Sequence, residues 1–133
     1  MKISATSTVQ DIFNQFNDAF PYLRLEFYHH AHDENMGSSK QDQVSHQTLL
    51  KQLNPQLHEN DIKLDPTMSV ADFEKIMQDK FKLNVQVFRK SVDIWLQTSA
   101  TDHWTLEKQN GKGQRSAEDH NIAPIEITDF DLE

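Results

Sequence analysis

Residues 1–20 laid over 62–81 without a gap match at six positions: Lys2/Lys63, Thr6/Thr67, Val9/Val70, Asp11/Asp72, Asp18/Asp79 and Phe20/Phe81. Chance supplies roughly one match in twenty, so this periodicity constrains the fold more than any composition figure. Similar residues fill the gaps at Ile3/Leu64, Thr8/Ser69, Ile12/Phe73 and Phe16/Met77. Skipping Pro21 keeps the match running through Leu23/Leu83, Leu25/Val85, Phe27/Val87 and Tyr28/Phe88. Duplication of one unit accounts for this, and so does convergence of two segments on one small motif.

The unit reads as strand, helix, strand. Val9, Ile12, Phe13, Phe16 and Phe20 recur at helical spacing, as do Val70, Phe73, Ile76, Met77 and Phe81, so each helix carries one apolar stripe. A hydroxyl stands three residues ahead of an aspartate at both starts, Thr8 with Asp11 and Ser69 with Asp72. The hydroxyl accepts from an orphan N–H and the carboxylate sits at the positive end of the helix dipole. Pro66 and Pro21 mark the boundaries. The period then falls to two. Leu23, Leu25 and Phe27 share one face, and Leu83, Val85 and Val87 share another. "VDIWLQT" follows Lys90-Ser91, which predicts a hairpin pairing Val87 with Ile94 and Val85 with Leu96 on the buried face. Short strands are predicted at "KISA" and "DIKLD".

The expected fold is therefore α+β: a ferredoxin-like βαββαβ plait with an extra C-terminal hairpin strand and its helices on one sheet face. The competing arrangement is an α+β sheet lacking the first strand. Residues 1–108 are expected as one α+β domain containing a long polar connection, 31–56, with a helical turn at "TLLKQL". "TLEKQN" predicts the start of a further short helix, and 109–133 reads as a flexible linker and an acidic-apolar tail.

Composition closes off several functions. In 133 residues the formal net charge is -8, which opposes binding to nucleic acid or anionic membrane. No run of about 18 apolar residues exists to span a bilayer, and "MKISATSTVQ" lacks the apolar core of a secretory signal. Without cysteine there is no disulfide, thiolate nucleophile or Cys-based metal site, and the chain suits a reducing cytoplasm.

The run "LNVQVFRKSVDIWLQTSATDHWTLEKQN" resembles a group of small uncharacterised bacterial proteins. They share a Val-Phe-Arg-Lys-Ser hairpin and a Thr-Ala-Thr-Asp…Trp-Thr-Leu-Glu segment. The resemblance implies no activity, and the His-rich run of this chain lies outside the shared pattern.

Two candidate sites emerge. "FYHHAHDEN" holds His29, His30, His32, Asp33 and Glu34. His30 and His32, two apart on a strand, with Asp33 as an oxygen ligand, form the pattern of a divalent transition-metal site, which His58 or His103 could close. A Gly/Ser-containing loop is a poor platform for such geometry, so a solvated strand end is the preferred reading and no cofactor is expected. The second candidate is the sheet face opposite the helices. There Tyr28, Phe88 and Trp95 cluster, with Trp104 and the tail available to cover them. Coverage or self-association is favoured over ligand binding. RNA binding through this face is excluded by the charge and by the lack of an RNP1 pattern. No G-x-S-x-G, P-loop or H-E-x-x-H occurs, and adjacent Asp102 and His103 point apart on an extended chain, so an enzyme is disfavoured. The expectation is a non-catalytic interaction or regulatory domain that uses the aromatic sheet face or the acidic tail to meet a protein partner or a second copy. The alternative is a small metal-binding protein.

Overall fold

A computed structural model describes residues 1–32 and 36–119. Along the chain run β1 (Lys2–Ile3), α1 (Val9–Ala19), β2 (Leu23–Tyr28), a 3-10 turn (Lys40–Asp42), α2 (Leu50–Leu53) and β3 (Asn60–Asp61). Then follow α3 (Val70–Phe81), β4 (Asn84–Ser91), β5 (Ile94–Gln97), a second 3-10 turn (Ser99–Thr101) and α4 (Leu106–Asp119).

Helices α1 and α3 begin where the hydroxyl–aspartate pairs predict. Thr8 Oγ1 accepts from the Asp11 N–H at 3.1 Å while Asp11 Oδ2 accepts from the Thr8 N–H at 2.9 Å. At α3, Ser69 Oγ accepts from the Asp72 N–H at 3.0 Å. Such a cap contributes roughly 1 kcal/mol. The apolar stripes then meet. Val9, Ile12 and Phe16 of α1 share one core with Val70, Phe73, Met77 and Phe81 of α3, and the Phe16 and Phe73 rings stack 5.4 Å apart. Leu23, Leu25, Phe27, Val85 and Val87 complete this core from one face of the sheet. Each fully buried Phe or Leu there contributes roughly 1.5–3 kcal/mol.

The molecule is mixed α+β, but its strands do not take the order of a βαββαβ plait. In that plait β1 and β3 lie between β2 and β4. Here β2 pairs directly with β4, antiparallel, from Leu23 opposite Arg89 to Tyr28 opposite Asn84. The sheet order is β2-β4-β5, and β1 and β3 form a separate two-stranded pair of two residues each. The reason is local. After Ile3 the Ser4 N–H donates to Ser7 Oγ and the Ser7 N–H to the Ser4 carbonyl, so the chain turns into α1 before β1 can lengthen.

The β4–β5 hairpin turns two residues later than its sequence predicts, at Val92-Asp93, which places Ser91 opposite Ile94 and Arg89 opposite Leu96. Val92 accepts a left-handed φ of 57°, and its N–H donates to Ser116 Oγ of α4 at 2.8 Å. An even shift preserves faces, so Ile94 and Leu96 remain on the helix side but are carried past the core. They are 58 % and 39 % exposed, not buried.

Two further expectations change. Of the connection 31–56, the stretch 38–44 crosses the second sheet face: the Ser38 backbone bonds the Gln97 side chain of β5, and at the outer edge of β2 the Val44 N–H donates to the Phe27 carbonyl at 2.8 Å and the His29 N–H to the Asp42 carbonyl at 3.1 Å. Residues 109–119, expected as linker, continue α4, whose Gln109 accepts from Arg89 and whose Asn110 accepts from the Tyr22 N–H. Gly113 makes this docking possible, since a Cβ there would lie 2.9 Å from Tyr22 Cβ and 3.0 Å from the Tyr22 carbonyl oxygen. The tail 120–133 lies outside the described residues.

The starts of the helices are cross-tied in pairs. Val9 N–H donates to the Thr48 carbonyl and Leu50 N–H to the Ser7 carbonyl, joining α1 to α2. Val70 N–H donates to the Trp104 carbonyl and Leu106 N–H to the Met68 carbonyl, joining α3 to α4.

Candidate functional site

The three aromatic residues expected on the sheet face, and Trp104, expected to be available to cover them, are divided among three environments. Tyr28 is only 2 % exposed, covered by the segment that bridges it to Gln43. Burial, reinforced by the Glu26 and Asp42 carboxylates, pushes its phenol well above the ordinary range. Glu26 beside it bonds His46 at 2.7 Å. Trp104 is also buried, but on the helix side, with Lys108 4.4 Å and Arg89 5.6 Å from its ring. Phe88 and Trp95 remain half-buried on the second face and are diagonal neighbours, because Lys90 opposes Trp95 and Phe88 opposes Gln97.

Trp95 is the centre of a cationic patch. The Arg24 guanidinium lies 4.2 Å from its ring centroid and the Lys90 ammonium 5.2 Å. Cations over an indole face are held by the ring quadrupole, at roughly 0.5–1 kcal/mol each when exposed. Two positive groups are thus fixed beside one strand of a chain whose formal net charge is -8.

That strand is an edge. Among the described residues β5 pairs only with β4. The Thr98 N–H donates to the Val87 carbonyl, so by antiparallel alternation Leu96 and Ile94 turn their backbone groups inward and Trp95 and Gln97 turn theirs outward. Val92, Ile94 and Leu96 are three of the four exposed large apolar residues among those described, and the fourth is Met36. The Ser38 N–H donates to Gln97 Oε1 and Gln97 Nε2 donates to the Ser38 carbonyl, so the covering segment reaches one end of the strand. The result is a short apolar edge flanked by cations.

Histidines occupy different surroundings. His30 is exposed and bonds Asp42 through Nδ1 at 2.7 Å, and its own N–H donates to Asp42 Oδ2 at 2.8 Å. His32 instead faces inward, with Nε2 3.2 Å from the Val85 carbonyl oxygen and 3.6 Å from Glu74 Oε1. The structure therefore separates the two imidazoles onto different carboxylates, and Asp33 lies outside the described residues. Among the described residues no group of three or more His, Cys, Asp or Glu side chains converges as a metal site.

The sequence carries no direct sign of Glu74 as a functional residue, and it offers His32 only as a metal ligand, because the part each plays at β4 depends on tertiary contacts with Val87 and Val85. Past the end of β5, the β4 edge is completed by side chains. Glu74 Oε2 accepts from the Val87 N–H at 2.9 Å, His32 meets the Val85 carbonyl, and Thr98 Oγ1 donates to the Val87 carbonyl at 2.9 Å. Burial, partly offset by the Val87 N–H and the His32 imidazole, pushes the Glu74 carboxyl up to about 7, and Asp102 adds to the rise. A cleft of about 220 Å³ opens beside them, lined by Lys75, Gln78 and Asn84 among others. The available signal was a glutamate inside an apolar stripe, between Phe73 and Met77.

No family model matches the chain, and no curated protein or solved structure does either. The fold is mixed α+β, with two antiparallel sheets among the described residues. No helix among the described residues is long and apolar enough to cross a membrane.

Proposed function

We propose that the chain is a non-catalytic protein-interaction domain that receives an extended, acidic partner segment along the free edge of β5. The observation that carries this reading is the exposed Ile94 and Leu96 on a strand whose outer edge pairs with no other strand among the described residues and whose other face holds Trp95 beside Arg24 and Lys90. Strand addition supplies backbone hydrogen bonds at the outward Trp95 and Gln97, while alternate side chains find apolar surface on one face and positive charge on the other. Edge strands are usually blunted by charge, proline or a cover; Ile94 to Leu96 include no charged residue or proline, and among the described residues no strand pairs with their outer edge. Tyr28 and Trp104, being buried, support the domain without touching the partner.

Duplication of a strand–helix–strand–helix unit belongs to the same reading. It is supported by the equivalent ties at the helix starts: Val9 and Val70 lie 61 residues apart, as the matched positions do, and their acceptors Thr48 and Trp104 lie 56 apart. On this view the second unit alone acquired β5, and with it the binding edge.

The test is an amide-resolved NMR titration of the full chain with an acetylated peptide of alternating valine and glutamate, taken to millimolar concentration. The expected result is perturbation confined to Ile94–Gln97 and the Arg24, Lys90 and Trp95 side chains, abolished in Ile94→Lys. Perturbation elsewhere, or none at millimolar peptide, overturns the reading.

A further inference from the structure

We propose that the cleft beside Glu74, between α3 and the start of β4, binds a small primary alkylammonium ion, at a site independent of the β5 edge. Glu74 stands inside the buried stripe of α3, and β4 engages only one of its two oxygens. Oε2 accepts from the Val87 N–H at 2.9 Å, whereas Oε1 makes no hydrogen bond among the described residues. His32 Nε2 lies 3.6 Å from Oε1 and directs its own bond to the Val85 carbonyl at 3.2 Å. Asp102, buried like Glu74, lines the same cleft, and its charge opposes ionisation of Glu74. Lys75 and Asp79 are exposed on the wall formed by α3. Among the described residues Lys75 ion-pairs with none of the three carboxylates, so the chain's own ammonium is not their counter-ion.

Side-chain chemistry selects this ligand. Three carboxyl groups against one ammonium favour a cation. Burial, with the Asp102 charge, lifts the Glu74 carboxyl to about 7, so at lower pH a proton fills that role. A metal ion needs several converging ligands, and among the described residues no group of three or more His, Cys, Asp or Glu side chains converges. An ammonium has three N–H donors and needs only acceptors within hydrogen-bond reach. Glu74 and Asp102 supply carboxyl oxygens, and Asn84, whose Nδ2 donates to the His29 carbonyl, keeps Oδ1 as an acceptor. The volume of about 220 Å³ and the short apolar side chains of Ala31, Ala71 and Val85 suit a stem of a few carbons.

The ligand takes the place of the proton, so binding tightens as Glu74 ionises. The methyl resonances of Ala31, Ala71 and Val85, followed in the full chain as ethylammonium chloride is added, read the cleft directly. A saturable shift of all three is expected, with affinity about tenfold weaker at pH 6 than at pH 8, because a carboxyl titrating at about 7 is ionised in only about one molecule in eleven at pH 6. Tetramethylammonium chloride, which has no N–H to donate, is expected to leave these resonances in place. Equal shifts from both salts, an affinity that does not change with pH, or no shift up to about 0.1 M overturns the proposal. Glu74→Gln keeps an oxygen for the Val87 N–H but carries no charge, and it is expected to bind ethylammonium at least about tenfold more weakly at pH 8. Unchanged affinity in this variant overturns the role of Glu74. The Glu74 carboxyl carbon of the parent chain adds a readout that needs no substitution. Its titration midpoint is expected to fall by about one pH unit when the ligand stands at about ten times its Kd. A midpoint that does not move overturns the exchange of proton for ammonium.

Discussion

Replacing Glu74 with glutamine tests the account of the β4 edge through its dependence on pH. Glu74 is 8 % exposed, and its carboxyl titrates at about 7 in the folded chain against 4.5 in an unperturbed one. Between those values the folded protein keeps a proton that the unfolded chain has released. Stability therefore falls as pH rises from 4.5 to about 7 and levels off above, by about 3 kcal/mol in all. Glutamine keeps an oxygen for the Val87 N–H and has no charge to bury, so Glu74→Gln removes this fall. Urea unfolding followed by the fluorescence of Trp95 and Trp104 at pH 5 and pH 8 measures it, provided the denaturant slope is unchanged. The variant is expected to lie within about 1 kcal/mol of the parent at pH 5, and to be the more stable by about 2 kcal/mol at pH 8. Equal differences at both pH values would refute the claim that Glu74 is buried as a proton-holding cap.

The two glycines of α4 should respond in opposite directions to alanine. Gly113→Ala places a Cβ against Tyr22 and is expected to cost about 1–3 kcal/mol in chemical unfolding, whereas Gly111→Ala meets only the Arg115 guanidinium, at 3.4 Å, and should stabilise by up to about 1 kcal/mol. Val92→Gly relieves a branched residue of its left-handed φ and is expected to raise stability by about 1 kcal/mol, read as an increase in Tm. Asp42 is held below its ordinary 3.8 by hydrogen bonds from His30 and by the charges of His30 and His29, against an opposing effect of desolvation. The His30 amide resonance, whose N–H donates to Asp42 Oδ2, should accordingly show a transition with its midpoint below 3.8, and should lose this transition in Asp42→Asn.

Much of the local structure was legible in the chain. The stripes Val9-Ile12-Phe16 and Val70-Phe73-Met77 and the Thr8 and Ser69 caps involve residues within a few turns of one another, so period and hydrogen-bonding chemistry specify them directly. Period two likewise assigned Leu23, Leu25, Phe27, Val85 and Val87 to one face. What the sequence could not determine was which distant backbone each face and edge would meet. β1 stops after Ile3 because a serine turn intervenes, and that lets β2 reach β4. A hairpin shifted by an even number of residues satisfies the same alternation, and contacts made at its two ends, Ser116 with Val92 and Thr98 with Val87, accompany the register that exposes Ile94. Tyr28 looked like a surface aromatic because its cover, residues 36–46, is polar in sequence and is joined to β2 through main-chain atoms that carry no side-chain signature. Glu74 became a strand cap, and β5 an open edge, only once α3, β4 and Thr98 had met. Local periodicity is written in neighbouring residues, whereas edges, covers and perturbed carboxylates are properties of segments brought together from far apart.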